Sequence, residues 1–272
     1  MLHVQNISSL DLPELQPYRT LRRQAEHREQ RIFVAEGEKT LRRLLETPLV
    51  IVSVLLTPEW FQIFEPLLKS RREEIEIYVA EKSVLETLVG FTMFQGLMAV
   101  AKIPDPLTLE QILERSPKPN LFVATDGVSN AENLGTLVRN CAAFSVDALF
   151  ISQNSSSPFL RRAVRSSMGG IFKIPILEEL DLGETLHELR RHKIRCIAAH
   201  PHASGKILTG ASFKTDCCIV FGNEADGISE TVLAACDEAV AIPMPENVDS
   251  LNVSSAGAVF LYEAQRQRNF LP

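Results

Sequence analysis

The stretch Asp249-Ser250-Leu251-Asn252-Val253-Ser254, near the carboxyl end of the 272-residue chain, decides how the second half of this protein is read. It lies between two apolar segments. Ala239 to Ile242 is a short strand-forming run closed by Pro243-Met244-Pro245, and Ser254 to Arg266 has helical spacing. Short polar residues between a strand and a helix make a tight, self-capped loop. Upstream, Phe221-Gly222-Asn223-Glu224-Ala225-Asp226-Gly227-Ile228-Ser229 follows the continuous apolar run Cys217 to Phe221. Asn133-Leu134-Gly135-Thr136-Leu137-Val138-Arg139 opens a helix predicted from Leu134 to Phe144.

Further strands are predicted at Asn120–Ala124, Ala148–Ser152, Ile171–Ile176 and Arg195–Ala199, with a helix over Thr185–His192. Continuous apolar strands of this kind predict a parallel sheet covered on both faces. Ligands of open α/β sheets bind beyond the carboxyl ends of the strands. That places Gly222, which follows Phe221, at a ligand-binding edge. A glycine there lets a ligand come close to the backbone. No GxGxxG or GxxxxGK[ST] occurs, so a dinucleotide or nucleoside-triphosphate phosphate loop is excluded.

Taken together and in order, the three motifs resemble those of the SpoU (TrmH) family of RNA ribose 2′-O-methyltransferases, in the SPOUT superfamily. The resemblance covers about Asn120 to Ala264. It implies a C-terminal α/β domain with a deep trefoil knot, which binds S-adenosylmethionine through backbone loops. By resemblance, Gly222, Ile242 and Leu251 present backbone groups to the cofactor; as apolar residues, Ile242 and Leu251 would equally serve as core. Asn133, Arg139, Glu224, Ser250 and Asn252 are the implied catalytic set. Arg139 would grip the phosphate beside the target ribose. Its guanidinium stays protonated in proteins, so stabilising a developing alkoxide by charge suits it better than acting as a base. Glu224 would support its neighbours, and Ser250 and Asn252 would hold the arrangement or simply fix their loop. The chemistry is a single in-line displacement that needs positioning and no metal.

Some positions depart from the family pattern. Ala131 stands where proline is common, and Glu246 where glycine is frequent. Phe94-Gln95-Gly96 replaces a frequent His-Gln-Gly.

The first half reads as a separate small α/β domain of about residues 1–103. Helices are predicted at Pro17–Gln30, Lys39–Glu46, Thr57–Lys69 and Lys82–Val89, and strands at Arg31–Ala35, Val50–Leu56, Ile75–Ala80 and Gly96–Lys102. Phe33-Val34-Ala35-Glu36-Gly37-Glu38-Lys39 resembles part of an L30e-like RNA substrate-binding domain. Pro104-Asp105-Pro106 and Ser116-Pro117-Lys118-Pro119 bracket a linker, residues 104–119, with a short helix over Leu107–Arg115. Residues 120–272 form the methyltransferase domain.

The formal net charge of −6 runs against a phosphate-binding surface, but the basic residues are clustered. Arg19, Arg22 and Arg23, together with Arg161, Arg162 and Arg165, are candidate RNA contacts, or else solvated helix faces. Arg190, Arg191, Lys193 and Arg195 read as the polar face of a surface helix. Arg165-Ser166-Ser167-Met168-Gly169-Gly170-Ile171-Phe172 resembles a family stretch, a serine and glycine turn before a strand, that either touches RNA or only turns the chain.

The five cysteines include no CxxC pair and read as buried free thiols. His200-Pro201-His202 lacks partners at zinc-site spacing and reads as a polar loop, so no metal is expected. No stretch has the ~20 apolar residues of a membrane helix, and Met1 to Leu12 lacks the pattern of a signal peptide; the cytosol is expected.

The resemblance implies a homodimer acting on RNA, ribosomal rather than transfer RNA. The rival expectations are a transfer-RNA 2′-O-methyltransferase, a base methyltransferase, and a non-catalytic RNA-binding or ribosome-assembly factor of the same fold.

Overall fold

Nearly all of the predicted apolar runs become strands in the computed structural model, which describes residues 2–21, 24–89, 95–203, 206–245 and 247–269. The fold is mixed α/β and divides into two compact units. One unit is Met1–Asp105 with Phe159–Phe172; the other is Pro106–Pro158 with Lys173–Pro272.

Among the described residues, the first unit holds strands β1 (Leu2–Asn6), β2 (Ile32–Glu36), β3 (Ile51–Leu56), β4 (Ile75–Val79) and β5 (Leu97–Lys102), in the sheet order β1-β4-β3-β5-β2. The β1–β4 and β4–β3 pairs are parallel; β5 runs antiparallel to both β3 and β2. β1 is polar and exposed along most of its length, which is why no apolar run announces it. The helix Pro58–Lys69 begins as its sequence predicts: the Thr57 side chain accepts the Trp60 N–H, with proline in the first turn. The helix predicted over Pro17–Gln30 is interrupted. Short helices cover Gln16–Arg19 and Gln24–Glu29, and Arg22 and Arg23 lie outside the described residues.

The second unit holds β6 (Leu121–Thr125), β7 (Ala148–Ser152), β8 (Ile176–Leu180), β9 (Arg195–Ala199), β10 (Cys217–Phe221) and β11 (Glu238–Val240). Their order is β11-β9-β10-β6-β7-β8, and every pairing is parallel. The central strands β6, β7 and β10 are buried at every position, as a sheet covered on both faces requires. On one face, Phe122, Phe150, Leu186, Leu189, Cys196, Cys218 and Val220 form a single core cluster. Elsewhere the helix Val253–Gln267 packs on the helix Ala131–Ala143. Their approach is close: a Cβ on Gly257 would stand 2.4 Å from Leu137 Cδ1, so that position admits only glycine without rearrangement.

Two expectations need correction. The strand predicted over Ile171–Ile176 is displaced: Gly170–Phe172 is a single 3-10 turn, and β8 begins only at Ile176, after Pro175. The residues expected to continue as one methyltransferase domain over 120–272 give up Phe159–Phe172 to the first unit. The cause is aromatic. The buried Phe33 ring lies 5.6 Å from that of Phe159 and 5.8 Å from that of Phe172. A short helix, Arg161–Ser166, packs against β2 between those two contacts. Two aromatic pairings of this kind are worth ~0.5–1.5 kcal/mol each beyond the area they bury.

Candidate active site

The loops that leave the carboxyl ends of β9, β10 and β11 enclose a cavity of about 290 Å³. Gly222, Glu224, Ile242, Ser250 and Leu251 all line it, so five of the residues singled out in the sequence meet at one place. Leu251 is 40% exposed, which sets aside its reading as a core residue. An apolar side chain left at a cavity wall is available to a ligand.

Gly222 is needed for a reason other than the one its position suggested. A Cβ there would stand 2.2 Å from the carbonyl carbon of Gly227 and 2.4 Å from the Ile228 nitrogen. The chain itself fills the space, as the loop folds back and Asn223 and Gly227 exchange backbone hydrogen bonds of 2.8 and 3.1 Å. Asn223 shapes the same turn. Its Oδ1 accepts the N–H groups of Ala225 and Asp226, and its Nδ2 donates to the Gly127 carbonyl at 2.6 Å. Asp126, buried at the end of β6, accepts both the N–H and the hydroxyl of Ser229. Sequence reasoning missed Asn223 and Asp126. The signal for Asn223 was available: an asparagine two and three residues before a turn readily caps it.

Glu224 sits at the amino end of the helix Ala131–Ala143. Its carboxylate accepts the Asn133 Nδ2–H at 2.9 Å and the backbone N–H groups of Ser129 and Asn130 at 3.3 Å each. Partial burial pushes its pKa up, but these hydrogen bonds outweigh it and hold the pKa below the ordinary carboxylate value. A helix amino terminus favours the same negative charge. Asn130 caps this helix through the N–H groups of Glu132 and Asn133. The family's frequent proline falls at Ala131, the first helical residue, where either residue is compatible with the helix.

The chain of contacts continues. The Asn252 amide donates to Asn133 Oδ1 at 3.0 Å, and Asn252 Oδ1 caps the last helix by accepting the Ser254 N–H. Asn140 Nδ2 donates to the Ser254 carbonyl at 2.7 Å. Glu224, Asn133 and Asn252, taken from three separate motifs, are therefore one hydrogen-bonded row. Ser250 lines the cavity and stands outside that row. Arg139 is exposed on the same helix as Asn133, and among the described residues it has no hydrogen bond or ion pair.

The proposed RNA-contacting arginines fare unevenly. Arg161 makes a short ion pair with the buried Glu36, and Arg165 lies 3.9 Å from the same carboxylate. Arg161 is thus a structural cation of the first unit. Arg162 is exposed and has no partner among the described residues. Arg19 pairs loosely with Asp11 at 3.8 Å on the surface. Arg22, Arg23, Phe94 and Glu246 lie outside the described residues. In the third basic cluster, Arg190 pairs with Asp237, Arg191 with Glu188 and Arg195 with Glu238.

The cysteines are free, four of them buried. Burial raises their pKa values, to about 12 at Cys236, so none is a thiolate nucleophile near neutrality. Among the described residues no group of three or more His, Cys, Asp or Glu side chains could hold a metal. No helix among them is long and apolar enough to cross a membrane.

Residues 120–262 match the SpoU rRNA Methylase family. The chain belongs to that family. The 23S rRNA (guanosine-2′-O-)-methyltransferase RlmB of Acinetobacter baylyi is 30% identical to it over 71% of this chain and 79% of its own. An uncharacterized tRNA/rRNA methyltransferase of Mycobacterium tuberculosis is 28% identical over 97% of this chain and 93% of its own. The crystal structure of an AdoMet-bound rRNA methyltransferase from Sinorhizobium meliloti superposes with a TM-score of 0.84 over 99% of both chains. At 23% identity that likeness is one of fold. Within this SpoU chain, the match spans the whole cavity and every residue of the hydrogen-bonded row.

Proposed function

We propose that this SpoU-family chain transfers a methyl group from S-adenosylmethionine to a ribose 2′-hydroxyl of RNA, with ribosomal RNA as the substrate. One observation carries the reading: an acidic cavity joined, through Glu224, Asn133 and Asn252, to a helix bearing an arginine that has no partner among the described residues. The guanosine-2′-O-methyltransferases of 23S rRNA among its relatives support the RNA class.

The residues present suit this cofactor. Phe221, Ile242, Met244, Leu251, Val253 and Phe260 provide apolar walls for a flat base. Glu224, Asp226 and Asp249 are the acidic residues around the cavity, and among the described residues no lysine or arginine lines it. Such a lining favours a cationic ligand, and S-adenosylmethionine carries a sulfonium. When bound, the cofactor supplies an electrophilic methyl group. Gly222, Ile242 and Leu251 are the residues we assign to holding it.

The chain's own contribution is positional and electrostatic. Arg139, which has no partner among the described residues, grips the phosphate beside the target nucleotide and offsets the charge that develops on the ribose oxygen. Its permanent charge means that it does so without giving up a proton. Glu224 is ionised at neutral pH, so it cannot donate a proton there. It anchors Asn133 and the helix amino terminus instead, and so fixes the helix that carries Arg139. Asn252 links this arrangement to the cavity loop, and Ser250 faces the cavity from the same loop.

The finer architecture belongs to the same reading. The second unit is knotted as in the SPOUT superfamily, a reading supported by its membership of the SpoU family. The first unit is an L30e-like module that receives RNA. The protein is a cytosolic homodimer; Val259 and Tyr262, 40% and 52% exposed on the last helix, supply apolar surface for a second copy.

The test is methyl transfer from labelled S-adenosylmethionine to total RNA from cells lacking this protein, followed by nucleoside mapping. A labelled 2′-O-methylnucleotide in ribosomal RNA is expected. A labelled base would refute the ribose assignment, and label in transfer RNA the substrate. Absence of both transfer and cofactor binding would leave a non-catalytic RNA-binding factor.

A further inference from the structure

His200, which the sequence offers only as part of a polar loop, lies in the wall of the cavity together with Pro201 and His202. It follows β9 directly, and its backbone N–H donates to the Val240 carbonyl at 3.0 Å. The loop then turns on itself, with the Ala203 N–H donating to the His200 carbonyl at 3.2 Å. The imidazole is fixed as well: the His202 backbone N–H donates to His200 Nδ1 at 3.2 Å. A ring nitrogen that accepts a hydrogen bond carries no proton, so the neutral ring must carry its proton on Nε2. Among the described residues Nε2 has no hydrogen-bond partner. His200 as a whole is half-buried.

We propose that His200 is a cofactor-binding side chain, donating its Nε2–H to an acceptor on S-adenosylmethionine. This rests on the function proposed above. The three carboxylates Glu224, Asp226 and Asp249 give the cavity its negative character, which suits a cationic ligand. An imidazole N–H adds a hydrogen bond without the permanent charge of a lysine or arginine, which in the same place would oppose a cationic ligand. The His202 N–H orients the His200 ring by donating to Nδ1, so His202 acts through its backbone.

Calorimetric titration of the full chain with S-adenosylmethionine and, separately, with the uncharged-sulfur product S-adenosylhomocysteine tests the assignment. His200→Ala is expected to weaken both ligands about tenfold, the loss of roughly one hydrogen bond. His200→Gln, which keeps a donor, should recover part of that loss. His200→Lys should weaken S-adenosylmethionine more than the product, since only the former carries the sulfonium. Wild-type affinity for both ligands in His200→Ala and His200→Gln would overturn the proposal, as would equal losses for the two ligands in His200→Lys. Thermal melts identify any variant that fails to fold. In that event the ¹⁵N imidazole shifts of the wild-type protein decide: an Nε2–H ring whose Nε2 resonance moves on adding S-adenosylmethionine is expected, and an unmoved resonance refutes the contact. If the wild-type chain binds neither ligand, the proposed function itself fails; if it binds both and the variants match it, only the role of His200 fails.

Discussion

A glutamate meets both the helix Arg161–Ser166 and the helix Ala131–Ala143, and both helices carry arginine, yet the two regions satisfy the acid in opposite ways. In the first, Glu36 is buried and takes up Arg161, with Arg165 close by. The arginines there hold a short helix to strand β2. In the second, Glu224 is satisfied by neutral donors, the Asn133 amide and two backbone N–H groups, and Arg139 has no partner among the described residues. A cation already matched by a buried carboxylate is not available to a phosphate, whereas one whose neighbours have satisfied the acid by other means is. Partner supply, rather than arginine count, separates structural from functional basic residues here.

The largest effect is expected at the unpaired cation. Arg139→Ala should lower the methyl-transfer rate on the order of a thousandfold, comparable to removing a preorganised charge from a transition state. Its affinity for S-adenosylmethionine should be unchanged, which calorimetry checks. Lost cofactor binding in a folded variant would place Arg139 among the structural arginines and collapse the contrast. Next comes the buried pair. Glu36→Ala strands Arg161 and should cost about 3 kcal/mol of stability, read by urea titration of the first unit's signal. An unchanged midpoint would mean that Glu36 and Arg161 are no tighter than a surface pair.

A third prediction concerns protons. The folded-state pKa of Glu224 is depressed, so its ionised form contributes stability that is present at neutral pH. That contribution fades as pH falls through the lowered pKa, below the usual value of 4.5. The stability gap between the wild type and Glu224→Gln should therefore narrow on acidification. A gap independent of pH would show that the amide contacts, and not the charge, anchor the helix. The smallest effect belongs to Arg162, exposed beside the engaged Arg161. Arg162→Ala should weaken RNA binding modestly and lower the salt slope of the affinity by about one, while leaving stability unchanged. An unaltered slope would remove this helix from the RNA surface.

The sequence by itself determined a good deal. The runs Leu121–Thr125, Ala148–Ser152 and Cys217–Phe221 are apolar at nearly every position, and only a doubly covered parallel sheet buries such strands. The three motifs pointed to the family before any coordinates, because the segments holding Asn133, Glu224 and Asn252 occur in order and at fitting spacing. Tertiary structure decided the rest. The polar strand Leu2–Asn6 carries no periodic signal and pairs only because β4 offers an edge. Phe159–Phe172 joins the first unit because Phe33 takes both of its aromatic rings, a contact between residues more than a hundred positions apart in the chain. Gly222 reads as room for a ligand in one dimension; in three, the backbone of Gly227 fills that room. His200 becomes part of the cavity only when β9 and β11 lie side by side. Local pattern determines which residues are buried in an element, whereas the partner of each charge and the occupant of each space depend on which distant segments meet.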